Sequence, residues 1–216
     1  MYKGKYVYLR LLEPEDYVNT YRWRNDLEIQ SSIGGGPMRF ISKEMEHNWT
    51  QKVSLDNTNN LYLAICLIEN DQMIGWYSIN DIDYRNRKCF CGGVVIGEKK
   101  YRDGIAYKEA GNLAFRYIIN ELNMNRVTGS CLREQVMSRA MMEASFWKLE
   151  GIAREAVFKN GDYHDKCYYA ILRSEYFEHL KNGDYEESAV MRNIGKAIKR
   201  IKAELKEEKL NIINSN

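Results

Sequence analysis

The stretch of this chain best suited to chemistry lies at residues 94–106. Val94, Val95 and Ile96 run into Gly97-Glu98-Lys99-Lys100-Tyr101-Arg102-Asp103-Gly104-Ile105-Ala106, where a strong helical pattern begins. A strand–loop–helix of this kind aims unpaired backbone N–H groups and the positive end of the helix dipole at one point, which makes an anion site. Gly104 lets a phosphate approach the backbone, and Ala106 is small for the same reason. Arg102 can add a charge-assisted bond. A glycine ahead of a helix is also an ordinary turn, so the spacing alone leaves both readings open.

Other groupings point less clearly to chemistry. Cys89 and Cys91 share a face if they lie in a strand, so a metal pair is geometrically open. No second Cys/His pair with ligand spacing accompanies them; buried strand cysteines are the simpler reading, and no metal is expected. Cys131 with His164 would be a thiol–imidazole pair, but nothing in the spacing links them, and strand packing is expected. No Ser-His-Asp arrangement is readable. Gly34, Gly35 and Gly36 are followed by no Gly-Lys-Ser/Thr, and the segment reads as a mobile loop near a substrate.

The elements that would position these residues follow from periodicity. Residues 6–11 alternate as a strand, and Pro14 opens a helix that carries Tyr17, Tyr21 and Trp23 toward Ile29. Ser42 is an N-cap for a helix ending near Val53. Strands are expected over 61–68 and 73–82, joined by Asn70-Asp71-Gln72, and over 88–96, where Gly92 and Gly93 hint at a bulge. Residues 106–122 form the clearest amphipathic helix, with Ala106, Ala110, Leu113, Ala114, Tyr117, Ile118 and Leu122 on one face. A strand at 126–132, a helix at 135–147 and a hairpin of strands 152–159 and 163–172 around Asn160-Gly161 follow. Residues 188–209 are helical, with Met191, Ile194, Ile198, Ile201 and Leu205 on one stripe.

Composition sets the bounds. The chain has 216 residues, 44% apolar and 29% charged, with a formal net charge of +2. That suits one domain at residues 1–178 with a C-terminal helical extension at 179–216. The charge balance does not suggest a general nucleic-acid binder, and Glu204, Glu207 and Glu208 argue against a basic arm. The five scattered cysteines suit a reducing compartment, and no apolar run is long enough to span a bilayer, so a cytoplasmic protein without a membrane partner is expected. The last helix has an apolar stripe suited to docking on the domain or to pairing with a second copy as a homodimer.

Several stretches then match one family in order. Leu9-Arg10-Leu11-Leu12-Glu13-Pro14-Glu15-Asp16, Trp23-Arg24-Asn25-Asp26, Met73-Ile74-Gly75, residues 80–87, residues 122–127 and residues 154–165 resemble the GNAT acetyltransferases, specifically the RimJ/RimL-like branch. The resemblance covers most of residues 6–176 and implies a mixed α/β fold: a central twisted mixed sheet of about seven strands flanked by helices, with the C-terminal helix as an addition. It implies acetyl-CoA as co-substrate, without a metal. It puts the pyrophosphate on Arg102, Asp103, Gly104, Ile105 and Ala106, and the pantetheine arm along Val94, Val95 and Ile96. Gln135 stands where the family has an Asn near the cofactor, and Phe146 where it has a Gly.

The reaction implied is acyl transfer to a primary amine on a small molecule, such as an amino sugar, or on a protein N-terminus. The Tyr that many relatives use toward the leaving thiolate is replaced by Met142. The branch's Ser maps to Ser138, which becomes the candidate catalytic acid. The branch's hairpin glutamate maps to Val157, which leaves Glu155, two residues away on the same strand face, as the candidate base. Asp81, Asp83 and His164 are alternatives. By the same resemblance Asn25, Asp26 and the Gly34–Gly36 loop border the acceptor side. The departures from the family pattern also motivate a second reading, a catalytically silent CoA-binding or scaffold protein.

Overall fold

The computed structural model describes residues 2–33 and 39–215. The glycine loop read from the sequence at 34–36 lies outside the described residues. The fold is mixed α/β, with eight strands and flanking helices among the described residues. The strand beyond the expected seven is a two-residue ladder at Tyr2–Lys3. The chain divides into two compact units, described at 2–33 with 39–127 and at 128–215.

The first unit is built on a meander of β1 (Tyr2–Lys3), β2 (Val7–Leu11), β3 (Leu61–Leu67), β4 (Met73–Asp83) and β5 (Lys88–Ile96), each antiparallel to the next. β3 is buried along nearly its whole length, so its residues form an apolar run and not an alternation. In β5 the register against β4 slips between Ser78 and Ile79, and Gly93 sits at φ 96°. The slip is the bulge that Gly92 and Gly93 announce. A side chain at Gly92 would collide with Ser78 and Asn80.

One helix was expected across residues 14–29, and the chain instead makes three pieces. A short 3₁₀ turn (Pro14–Asp16) leads into α1 (Tyr17–Arg24), and α2 (Leu27–Ser32) starts afresh. The break has a local cause: Asp26 takes an extended conformation, and its carboxylate accepts the N–H groups of Glu28 and Ile29, restarting the helix as an N-cap. Ser42 caps α3 (Lys43–Leu55) as expected, through its hydroxyl and the Met45 N–H. Trp23 is 2% exposed and stacks on Trp76 at 6.0 Å, among Tyr8, Leu12, Ile29, Ala64, Cys66 and Met73. α4 (Ile105–Asn120) buries Ala106, Ala110, Leu113, Ala114 and Ile118, the face its periodicity predicts. The Glu109 carboxylate on α4 accepts the backbone N–H groups of Lys5, Tyr6 and Val7, which anchors the start of the chain.

β6 (Arg126–Leu132) begins at the end of the first unit and runs into the second, where α5 (Val136–Ala144), the antiparallel pair β7 (Lys148–Lys159) and β8 (Asp162–Leu172), α6 (Arg173–Lys181) and α7 (Glu187–Ser215) follow. β8 lies between β6 and β7. Asn160 at φ 54° and Gly161 at φ 86° make the tight turn of the hairpin. α5 ends earlier than expected, in a Schellman arrangement: the Trp147 N–H donates to the Met142 carbonyl and the Phe146 N–H to the Glu143 carbonyl. Phe146 fills the left-handed position at φ 64°, where glycine is the usual residue. Its ring stacks on His179 at 3.8 Å and meets Tyr185 edge-on.

The long C-terminal helix docks on α5. Ile194, Ile201, Val190 and Ala197 of α7 pack with Ala140 and Ala144 of α5, and of the stripe's five apolar residues only Met191 is exposed. Beneath them lies Arg139, 2% exposed, with its guanidinium 3.0 Å from the Glu204 carboxylate. Arg133 reaches Glu208, and Arg200 reaches back to Glu143.

Candidate functional site

The loop between β5 and α4 carries the first part of the site. Gly104 is the N-cap of α4, in the left-handed conformation at φ 92°, and a Cβ there would meet nothing within 4 Å. The backbone at this point is open to an approaching group, and Ala106 behind it is buried. The first i to i−4 bond of α4 runs from Lys108 N–H to Gly104 O. The N–H groups ahead of it point out of the helix end, where the dipole favours an anion.

The side chains around this cradle are already engaged. Asp103 accepts the Ile105 N–H at 2.9 Å. Arg102 turns toward the end of β5: its Nε donates to the Ile96 carbonyl and one terminal nitrogen to the Gly97 carbonyl, each at 2.9 Å. Its other terminal nitrogen lies 3.0 Å from Glu28 on α2, and Lys99 holds the second oxygen of the same carboxylate at 3.2 Å. Two carboxylates of the chain therefore sit on donors that a diphosphate could use. The backbone cradle and the cationic donor set fit a diphosphate, provided that Asp103 and Glu28 give way.

Val94, Val95 and Ile96 pair with Tyr77, Trp76 and Gly75 on β4. Gly75 is required here, because a Cβ on it would stand against the Val95 carbonyl. Gly97 is required next to it, because a Cβ would enter the Trp23 ring. Tyr77 is buried and its hydroxyl lies 2.5 Å from the Cys91 sulfur, which gives Cys91 a packing partner. Burial pushes the Cys89 thiol up to about 12. Among the described residues, no group of three His, Cys, Asp or Glu side chains could hold a metal ion.

Asn25 and Asp26 have local structural work. Asn25 donates to the Tyr21 and Ile41 carbonyls and accepts the Ile41 N–H, which staples the chain on either side of residues 34–38. Behind them Arg24 pairs with the buried Glu46 at 3.0 Å and lies over the Trp49 ring. Asp83 holds Asn86 in the turn before β5.

The second unit holds the other predicted residues. Gln135 is the N-cap residue of α5, and its side-chain oxygen accepts the Leu132 N–H at 2.9 Å. It is committed to the end of β6 by that bond. Ser138 lies in the first turn of α5 and is half-buried. Met142, in place of the family tyrosine, packs against Cys131, Cys167 and Tyr169. Burial also pushes the Cys131 thiol up to about 12, and Cys131 belongs to this apolar cluster. His164 faces elsewhere: its ring nitrogens lie 2.5 Å from Glu134 and 3.0 Å from the Lys159 carbonyl.

Glu155 departs from its expected geometry. The ladder of β7 and β8 slips between Ala153 and Val157, and Glu155 takes a left-handed φ of 52° inside that bulge. Strand alternation does not run through it, so Glu155 and Val157 do not share a face by simple spacing. The Glu155 N–H donates to Asp165, and the exposed carboxylate borders a shallow surface depression with Arg154 and Asp165.

Sequence reasoning missed Glu28 and the Arg139–Glu204 pair. Neither has a local signature, because the partners lie 74 and 65 residues apart.

Comparison with known proteins agrees with this architecture. Residues 7–148 match the family model described as an acetyltransferase (GNAT) domain. YnaD of Bacillus subtilis, named as an N-acetyltransferase, is 24% identical over 172 residues, covering 80% of this chain and 96% of that protein. YdaF of the same organism, named a putative ribosomal N-acetyltransferase, is 27% identical over 179 residues, covering 80% and 94%. A crystal structure of spermidine N-acetyltransferase from Vibrio cholerae in complex with CoA and spermine superposes with a TM-score of 0.71 at 20% identity, covering 79% of this chain and 98% of that one. With a matching family model across most of its length and this fold, the chain belongs to the GNAT acetyltransferase family.

Proposed function

We propose that this chain is an N-acetyltransferase that moves the acetyl group of acetyl-CoA directly to a primary amine. The observation that carries this reading is the Gly104 cradle at the start of α4, with its left-handed backbone, open approach and cationic loop. In this reading Gly104, Ile105 and Ala106 receive the diphosphate through backbone N–H groups, aided by Arg102 once it leaves Glu28. Asp103 swings off the Ile105 N–H to admit it. Val94, Val95 and Ile96 hold the pantetheine arm alongside β5, and Gln135 fixes the start of α5. Acetyl-CoA supplies an acyl carbon activated as a thioester.

The chemistry asked of the chain is small. The amine must arrive neutral, its nitrogen bonds to the acetyl carbon as the carbon–sulfur bond breaks, and the departing sulfur takes a proton. Ser138, on the first turn of α5, is the proposed donor of that proton. Glu155 is the proposed acceptor of the ammonium proton. Position-specific support for Ser138 is the resemblance to the RimJ/RimL-like branch; Glu155 is the carboxylate nearest in sequence to Val157, where that branch carries its glutamate, and its exposure on the bulge leaves it free to take a proton. The acceptor belongs to the class of primary amines: a protein N-terminus, an amino sugar or another small amine. The relatives' names put polyamines and ribosomal proteins on the panel to be tested. The free cysteines suit a reducing cytoplasmic setting, and no helix among the described residues is long and apolar enough to cross a membrane.

A second reading, a silent CoA-binding or scaffold protein, draws on the carboxylates that hold the loop's donors. Release of free CoA thiol from acetyl-CoA across a panel of amines separates the two. Turnover with any amine, reduced about 10²-fold or more in Ser138→Ala with little change in the acetyl-CoA KM, supports transfer with Ser138 in the proposed role. CoA binding without turnover across the whole panel supports the silent reading.

A further inference from the structure

The way α7 docks sorts its charges onto two faces. Glu204 and Glu208 point to α5 and the turn before it, where Arg139 and Arg133 neutralise them. Arg200, at the edge, is held by Glu143 and Glu204. On the opposite side, Arg192, Lys196, Lys199, Lys202 and Lys206 are all exposed. Among the described residues none of these five has a carboxylate partner within ion-pair distance. Their spacing of three or four residues keeps them on one solvent-facing stripe, with Glu207 at its edge.

The stripe runs about 21 Å from Arg192 to Lys206, at ~1.5 Å per residue. Successive cations stand about 4.5–6 Å apart along the axis, inside the Debye length of about 8 Å at physiological salt. Such a row repels itself, and a regularly charged polyanion laid along it removes that repulsion. A helix resting on a membrane would need its apolar face for the bilayer. Here that face is buried on α5, and among the described side chains Met191 and Leu210 are the exposed large apolar residues of α7. Of the three glutamates Glu204, Glu207 and Glu208 near the end of α7, Glu204 and Glu208 are turned inward.

We propose that the outer stripe of α7 is a docking surface for the phosphodiester backbone of a nucleic-acid duplex. The contact is electrostatic and reads no sequence. It is independent of acetyl transfer and brings the chain to a nucleic-acid-bearing particle on which an acceptor can be met.

Fluorescence anisotropy of the full chain with a labelled duplex of about 20 base pairs, in RNA and DNA forms, over about 50–200 mM salt tests this. Log affinity is expected to fall against log salt with a slope of about −4, from four or five phosphate contacts. The triple variant Lys196→Gln/Lys199→Gln/Lys206→Gln should flatten that slope by about 2–3 and weaken low-salt binding at least about tenfold. Its unfolding temperature should not fall, because these side chains have no partner among the described residues. RNA and DNA arms report which duplex is preferred, and binding to either supports the surface. No binding to either duplex at low salt, an unchanged slope in the triple variant, or tighter binding to phosphatidylserine vesicles or polyglutamate overturns it.

Discussion

The Arg102 guanidinium lies 3.0 Å from the Glu28 carboxylate, although the two residues are 74 positions apart. The pair ties the loop ahead of α4 to α2 and holds a cation that the proposed diphosphate would use. It is partly exposed, with side chains 24% and 58% accessible, so its strength is that of a surface pair, about 0.2–1 kcal/mol. A diphosphate can displace it at that cost. Glu28→Gln should therefore bind CoA about two- to fivefold more tightly than the wild type, measured by calorimetry. Glu15→Gln, an exposed carboxylate remote in contact from the loop, controls for net charge. Equal gains in both variants would remove the local account.

Phe146 holds a left-handed backbone and two ring contacts at once. A non-glycine residue in that conformation costs on the order of 1 kcal/mol. Each aromatic pair returns about 0.5–1.5 kcal/mol beyond the area it buries. The ring contacts outweigh the backbone strain, so Phe146→Gly should destabilise the chain by about 1–2 kcal/mol in urea unfolding. The ring packs on α6 and Tyr185, so CoA affinity should stay unchanged. A stabilised variant would show that strain dominates.

Arg139 is a charge at 2% exposure whose carboxylate partner comes from α7. Removing one member of such a pair leaves the other buried and unpaired. Glu204 is 29% accessible, so water relieves part of the penalty and Glu204→Leu should cost about 2–3 kcal/mol. The double variant Arg139→Met/Glu204→Leu should recover at least half of that loss. Additive destabilisation in denaturant unfolding would mean that packing, and not charge, holds α7 to α5.

All five cysteines are free, and Cys66, Cys89, Cys131 and Cys167 are buried. Burial raises the thiols of Cys89 and Cys131 to about 12. At pH 8 each is then thiolate only about once in ten thousand molecules, and thiolate is the reacting form. A thiol reagent should titrate at most one cysteine quickly in the folded chain and all five after denaturation. Rapid labelling of Cys131 in the folded chain would place that strand differently.

Where local physics decides, the sequence could be read well. The strands expected at 88–96 and 126–132 formed with those bounds, Ser42 capped its helix, and Asn160-Gly161 made its turn. The double glycine in β5 marked a bulge. The failures came where a side chain overrides periodicity. Asp26 restarts a helix that the apolar pattern would run through, and Phe146 ends α5 in a conformation that composition does not announce. At the candidate site, the loop and its glycine were legible because they depend on adjacent residues. The partners of Arg102 and the bulge at Glu155 were not, because each depends on a distant element.

The central claim is that the Gly104 loop accepts acyl-CoA although Asp103 and Glu28 sit on its donors. Thermal unfolding with and without acetyl-CoA tests it most directly. At about a hundred times the dissociation constant, a bound ligand adds roughly 2.7 kcal/mol, about 5–10 °C for a chain of this size. A rise of that order is expected with acetyl-CoA and with CoA. No rise with acetyl-CoA, CoA or longer acyl-CoAs would contradict it.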